Sequence, residues 1–489
     1  MRSKTKILAV LLGFSILFSC NEWMELIPPQ GLIREEFWKT KEDVEAVVMG
    51  AYESFSRMDR ELFLFGELRG DMLEGDYNQD LDEQKIQESN IYSDNYLCNW
   101  AKFYQVINYC NEIIKNAPLV KEIDKTFTDF QLQGYLSEAY FMRSLAYFYL
   151  VRIYKDVPFI TEPTESDDSE FYVEKNNGDD ILRILITELE EYRKFATVDG
   201  FKTPAEIKGR ATKAAYDGLL ADINLWLFEY DEVIRHVQNI ESNIKYVLMP
   251  GAKWFEMFYP GNSLESIFEF QYNTERSQQN NLYGLTNYDG HNYDPSPSAL
   301  EMFAKEYTSE LARGEDITIR KEGEGDYIIW KYVGADGDGR TTRSGIEQNS
   351  ANWIVYRLAD VKLMKAEALS QMGRFQEALS IINEIRSRAD VSPIFPAETE
   401  TAYEDAILEE RALELAFEGK RWFDLLRMGR RNDYARKSKL IEIIVKNVPS
   451  TQKRILAIKL TNPLGWFLPI YDQELERNKN LVQNPYYDN

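Results

Sequence analysis

The chain has 489 residues, with 57 Lys+Arg against 81 Asp+Glu, a formal charge of −24, two histidines and three cysteines. That acidity excludes nucleic acid as a partner, because phosphate binding requires a cationic face. Three cysteines cannot form a disulfide framework, no Cys/His spacing suggests zinc or another cofactor, and His236 and His291 leave little material for histidine-centred catalysis.

In chain order, Arg2, Lys4 and Lys6 precede an apolar run from Ile7 to Phe18. The run is too short for a membrane-spanning helix of ~20 residues and suits a signal peptide over residues 1–19. Leu17-Phe18-Ser19-Cys20 resembles the lipobox of bacterial lipoproteins, which makes Cys20 the expected lipidation site. Cleavage there removes three positive and no negative charges, leaving about −27 on the mature chain, so acyl chains rather than charge must hold it to a membrane.

Phe103, Val106, Ile107, Cys110, Ile113 and Ile114 repeat at three and four residues, one apolar helical stripe that Pro118 is expected to end soon after. If Cys98 shares that helix with Cys110, the two lie ~18 Å apart and cannot bond, so both read as buried thiols. From Phe130 to Tyr154 the pattern is apolar nearly all round, with Tyr135, Tyr140, Phe141, Tyr147, Phe148 and Tyr149, which predicts a helix buried on most faces. Ala221, Tyr230, Val233 and Val237 share the relative spacing of Ala366, Phe375, Ala378 and Ile382. This is the packing grammar of tetratricopeptide helix pairs, with Gly373 at the turn of one copy and Phe228 at that of the other.

Between these copies, residues 251–350 are rich in Gly, Asn, Asp, Tyr and Pro. Short strand-like runs at Ser266–Gln271 and Tyr327–Tyr332 and a helix near Ala299–Phe303 are all that is predicted there. The expected organisation is an N-terminal helical region over 20–250 and a C-terminal region over 251–489. The latter comprises the loop-rich insertion (251–350) and a helical part (351–489), packed with the rest as one unit. The fold class is mainly α, a tetratricopeptide-type scaffold carrying an irregular insertion.

Several motifs compete for a chemical reading. Glu410, Glu414 and Glu418 recur every four residues, which could supply a glycosidase pair but reads better as ion-pair partners on a helix, with Arg357, Asp360 and Glu367 in the same network. Asp336-Gly337-Asp338-Gly339-Arg340 begins like a calcium loop, yet Thr341 stands where that loop needs Gly, so a solvated turn is the better reading. Recognition of a small polar ligand needs apolar faces and planar hydrogen-bonding groups. The candidates outside the patterned helices are Tyr92, Tyr96, Trp254, Tyr272, Tyr283, Tyr288 and Trp330, with Asp71, Asn78, Asn280, Asn281 and Asn292 for hydroxyl contacts.

Six blocks, in order, resemble the SusD/RagB-like outer-membrane nutrient-binding lipoproteins of Bacteroidetes. They are Glu36-Phe37-Trp38-Lys39-Thr40; Asn99-Trp100 to Ile114; Glu138 to Pro158; Arg357 to Ala389; Glu410-Arg411 to Leu425; and Leu468-Pro469-Ile470 to Tyr486. The resemblance implies a cell-surface, lipid-anchored protein of the outer membrane, facing outside. It further implies a partner, a SusC-like TonB-dependent barrel, and a glycan ligand that is bound without chemical conversion. A peptide-binding RagB-like role is the alternative; a hydrolase and a purely protein-binding tetratricopeptide scaffold rank below it.

Overall fold

A computed structural model describes residues 37–164, 172–197, 201–287, 292–306, 313–323 and 325–488. The signal segment, Cys20, Tyr288 and His291 lie outside the described residues.

Helices α1 (Lys41–Ser56) and α2 (Asp59–Glu67) open the fold, followed by strand β1 (Leu73–Gly75) and a short helix α3 (Leu81–Gln87). Next comes the hairpin of α4 (Ala101–Ile123) and α5 (Asp129–Tyr154). Thr128 and Gln131 form a capping box that starts α5, satisfying amides the first turn would otherwise leave bare. Most of α5 is buried, as its all-round apolar pattern requires. Pro118 does not stop α4, which runs on to Ile123. Near a C-terminus the missing N–H removes one hydrogen bond and leaves the last turn intact. Cys98 lies in a short turn before α4 rather than inside it, and both remaining cysteines are buried free thiols.

After α6 (Gly178–Tyr192) and the single-turn α7 (Pro204–Gly209), α8 (Lys213–Trp226) and α9 (Tyr230–Glu241) form a second hairpin. Phe228 at its turn has φ 65°, matching the 73° of Gly373 in the later copy. The substitution therefore changed the residue and kept the left-handed backbone, whose strain is offset by packing of Arg430 and Arg431 on the Phe228 ring.

The insertion contributes β2 (Ser266–Phe270), α10 (Leu282–Thr286), β3 (Tyr293–Pro295), α11 (Pro297–Glu306), the hairpin β4 (Ile319–Glu322) and β5 (Asp326–Ile329), the turn α12 (Trp330–Val333) and β6 (Trp353–Arg357). All pairings are antiparallel: β1 with β3, β2 with β6 across a bulge, and β4 with β5. The run predicted as one strand from Tyr327 thus turns helical at Trp330. The chain ends in hairpins α13 (Leu358–Gln371)/α14 (Phe375–Arg388) and α15 (Glu400–Glu414)/α16 (Arg421–Tyr434), then α17 (Lys437–Ile444), α18 (Ser450–Leu460) and α19 (Asp472–Arg477). One hydrophobic core runs from α1 through the carboxy-terminal helices, and two small clusters, around Trp254 and around Trp330, lie under the insertion.

A buried ionic network joins these parts. The Arg357 guanidinium donates to Glu265 (2.8 Å), Glu414 (2.6 Å) and Glu418 (2.8 Å). Glu414 also receives Arg313 (3.1 Å), Arg388 and the indole N–H of Trp254 (3.3 Å), and Glu418 receives Lys331 (2.7 Å). Arg411 links Asp360 and Asp424, while Arg427 binds Glu367 and Asp424. Ions this deep tolerate burial only when every charge is met. Nearby, Gly419 (φ 70°) presses its carbonyl so close to α2 that a Cβ on Gly66 would lie 2.0 Å from it. Glu67 of α2 accepts from the backbone N–H groups of Gly419 (2.8 Å) and Lys420 (3.1 Å).

Two outcomes follow. Arg357→Met should cost about 3–5 kcal/mol, read by chemical denaturation, because it strands buried carboxylates. Burial pushes the Glu67 carboxyl up to about 8, against its backbone hydrogen bonds. The folded chain therefore keeps a proton that the unfolded one releases above 4.5, so this residue's stabilisation is complete below that pH and is lost as pH rises through about 8. Glu67→Gln keeps an acceptor and removes the titration; its stability should fall less steeply than the parent's between about pH 4.5 and 8.

Candidate functional site

The pairing of β1 with β3 brings two distant loops onto one face. Asp76 N–H donates to the Asn292 carbonyl (2.9 Å), and the Asn292 amide donates to the Asn78 carbonyl (2.7 Å). Asp80 caps α3 by accepting from Asp82 N–H (2.8 Å), which sets Glu83 in its first turn. The Glu83 side chain is fully buried and accepts from Arg60 Nε (3.1 Å) and from the hydroxyls of Tyr96 and Tyr293. One carboxylate thus fixes α2, α3, the segment before α4 and β3. Burial, together with this carboxylate, pushes both phenols well above their ordinary range, so they stay donors. Asn95 adds a bond to the Asp82 carbonyl (2.8 Å), and Gln87 one to the Leu73 carbonyl (3.1 Å).

On this fixed base Tyr77 is 88% exposed, Tyr92 63% and Tyr96 40%. Exposed phenol rings offer flat apolar faces of the kind a sugar ring packs against, and Tyr77 adjoins Asn78, whose carbonyl accepts from Asn292. Tyr77 was not among the sequence candidates. Its position beside Asn78, two residues past Gly75, was the available signal.

Several candidates fall elsewhere, and for these the structure corrects the sequence. Trp254 and Trp330 are completely buried, the first donating to Glu414 and the second to the Asp336 carbonyl (2.6 Å). Tyr272 is buried with its hydroxyl on the Ser56 carbonyl (2.6 Å), and Asp71 is buried in a two-pronged pair with Arg421. None of the three rings offers a face to a ligand, and Asp71, which lines a cavity of about 520 Å³, is engaged by Arg421. Irregular segments must bury their own large rings to stay ordered, which position along the chain does not reveal. Tyr283 is half-buried against the Trp330 cluster. Asn280 donates to the Ala351 carbonyl (2.6 Å), and Asn281 donates through its N–H (2.6 Å) and amide to Asp59, whose carboxyl burial pushes up to about 6.

Glu414 and Glu418 cannot serve as a hydrolytic pair. Burial pushes the Glu414 carboxyl up, but Arg388, Arg357 and Arg313 outweigh it and hold the group well below the usual carboxylate range. Glu418 is lowered likewise by Arg357 and Lys331 against its burial. Glycoside hydrolysis needs an accessible acid with a raised pKa, and these two are ionised and sealed. Glu190, Glu232 and His236 could between them hold a metal ion, their ligand atoms lying within 4.8 Å of one another. Arg235 already bridges the two carboxylates and sits 2.9 Å from His236 Nε2, so the cation there is a guanidinium. In the Asp336 loop, Asp336 accepts from the N–H groups of Asp338 (3.3 Å) and Arg340 (3.0 Å), the hydrogen bonding of a turn.

The sequence model described as the SusD family matches residues 226–487, and one described as starch-binding, associating with outer membrane, matches 22–225. The two meet inside the α8/α9 hairpin. SusD-like protein P38 of Formosa agariphila is 26% identical, with 98% of each chain covered. A SusD-like protein of Bacteroides ovatus is 22% identical over 86% of this chain and 82% of its own. Among crystal structures, a SusD superfamily protein from Bacteroides vulgatus superposes with a TM-score of 0.77 at 20% identity, covering 92% of this chain and all of that one. Another, from Bacteroides thetaiotaomicron, gives 0.73 at 21%, covering 92% and 99%.

Proposed function

The chain belongs to the SusD family, and on that premise we propose that it is a surface lipoprotein of the outer membrane that captures a glycan and hands it to a TonB-dependent barrel. The observation that carries the sugar reading is the tyrosine face: Tyr77, Tyr92 and Tyr96 exposed on loops that the buried Glu83 hub holds in place. Capture needs no chemistry at the ligand, only a surface rigid enough to avoid an ordering cost when it binds. An acidic protein disfavours polyanionic ligands, so a neutral oligosaccharide suits the face. Among the described residues no helix is long and apolar enough to cross a membrane, and the tether is assigned to Cys20.

Calorimetric titration against a broad oligosaccharide panel, with peptides alongside, tests the ligand class. At least one glycan should bind, and Tyr77→Ala or Tyr92→Ala should weaken it by about 1–2 kcal/mol, roughly five- to thirtyfold, without altering the melting temperature. Binding of peptides and of no glycan would replace the sugar reading with the peptide one. For the anchor, Cys20→Ala should move the protein from the membrane fraction to the soluble one; unchanged fractionation would reject lipidation at that residue.

A further inference from the structure

A cavity of about 870 Å³ opens between the start of α4, the strap that follows α5 (158–164), and α19. None of Tyr77, Tyr92 and Tyr96 lines it. Its volume falls in the ~300–1,000 Å³ range of small-molecule sites. Trp100, Tyr104 and Asn108 stand four residues apart and so share one face of α4, with Trp100 and Tyr104 edge-to-face at 5.6 Å. The opposite wall carries Phe159, which packs on Tyr147 at 5.1 Å, and Tyr172, half-exposed at the mouth.

The chemistry of the walls narrows the ligand class. Glu474 and Arg477, 3.6 Å apart, cancel each other, and Glu162 adds a negative charge, so no cationic excess exists for a phosphate or an acidic ligand. The rings are interrupted by amides and by that ion pair, which would leave polar groups stranded against an acyl chain. An extended peptide would need open backbone groups on the strap. Several of those are taken: Tyr104 donates to the Pro158 carbonyl (2.8 Å), Asn111 to that of Ile160 (3.1 Å), and the N–H groups of Phe159, Ile160 and Thr164 donate to Asn176 (3.1 Å), Tyr147 (2.7 Å) and Asn108 (2.8 Å). Asn108 spends only its oxygen in this way; among the described residues its NH2 has no partner.

We propose that this cavity is a second carbohydrate site, taking one or two neutral pyranose units between the Trp100/Tyr104 wall and Tyr172, with the Asn108 amide donating to a hydroxyl. It is independent of the tyrosine face, and each site can fail without the other.

The test titrates the mature, isotope-labelled chain with maltose, cellobiose and N,N′-diacetylchitobiose at millimolar concentration, with trialanine as the peptide control. The NMR readouts are the Asn108 side-chain amide and the Trp100 indole for the cavity, and the amides of residues 76–96 for the tyrosine face. At least one sugar should shift the cavity signals to saturation, and Tyr172→Ala and Asn108→Asp, which keeps the acceptor for Thr164 N–H, should each weaken that response about tenfold with melting temperatures unchanged. Shifts confined to residues 76–96, or none with any sugar, overturn the second site; so does a cavity response to trialanine, or one indifferent to both substitutions. Cavity shifts without any response at 76–96 would keep this site and remove the tyrosine face.

Discussion

The guanidinium of Arg357 meets three carboxylates that come from different stretches of chain, Glu265 from the insertion, Glu414 from the end of α15 and Glu418 from the segment linking α15 to α16. Around it Arg313, Arg388 and Lys331 complete the pairing, and the Trp254 indole closes one remaining acceptor. Such a cluster contributes less to net stability than its number of bonds suggests, because desolvation offsets much of the attraction. Its consequence is uniqueness: any displacement of the insertion relative to the helices would leave a charge unmet in a dry interior. A segment poor in helical period is thereby locked onto the helical hairpins.

That lock explains how loops can serve as a binding surface. The Gly66–Gly419 contact and the Glu67 bonds fasten α2 to the turn after α15, and α2 in turn presents Arg60 to Glu83. From Glu83 the constraint passes through Tyr96 and Tyr293 to the exposed tyrosines. Residues remote in sequence thus order the proposed face in advance, which would lower the entropic cost of binding there. The carboxylates that might have suggested hydrolysis are spent on holding the scaffold together.

How far the sequence could be read depended on the kind of signal. Helical stripes such as Phe103 to Ile114 were legible because a period of 3.6 records which face is buried. The repeated spacing at Ala221 and Ala366 identified two hairpins, and the turn geometry at Phe228 shows that the repeat survives where its glycine does not. The four-residue spacing of Glu410, Glu414 and Glu418 was correctly legible as ion pairing, although their partner Arg313 was not nameable in advance. Pro118 misled because a proline's effect depends on its distance from the helix end, and the boundary was undecided.

By itself the sequence determined the helical class, the acidity and the family, since each depends on composition, local period or ordered motifs. Only the tertiary structure decided which aromatics are available. Trp254, Tyr272 and Trp330 share the loop-like context of Tyr77 and Tyr92, yet the first three are buried and the last two are exposed. The difference lies in contacts with residues such as Glu414, Ser56 and Asp336, most of them remote along the chain. Exposure is a property of the whole packing, so composition alone, with its excess of tyrosine, could say that rings were plentiful but not which of them face water.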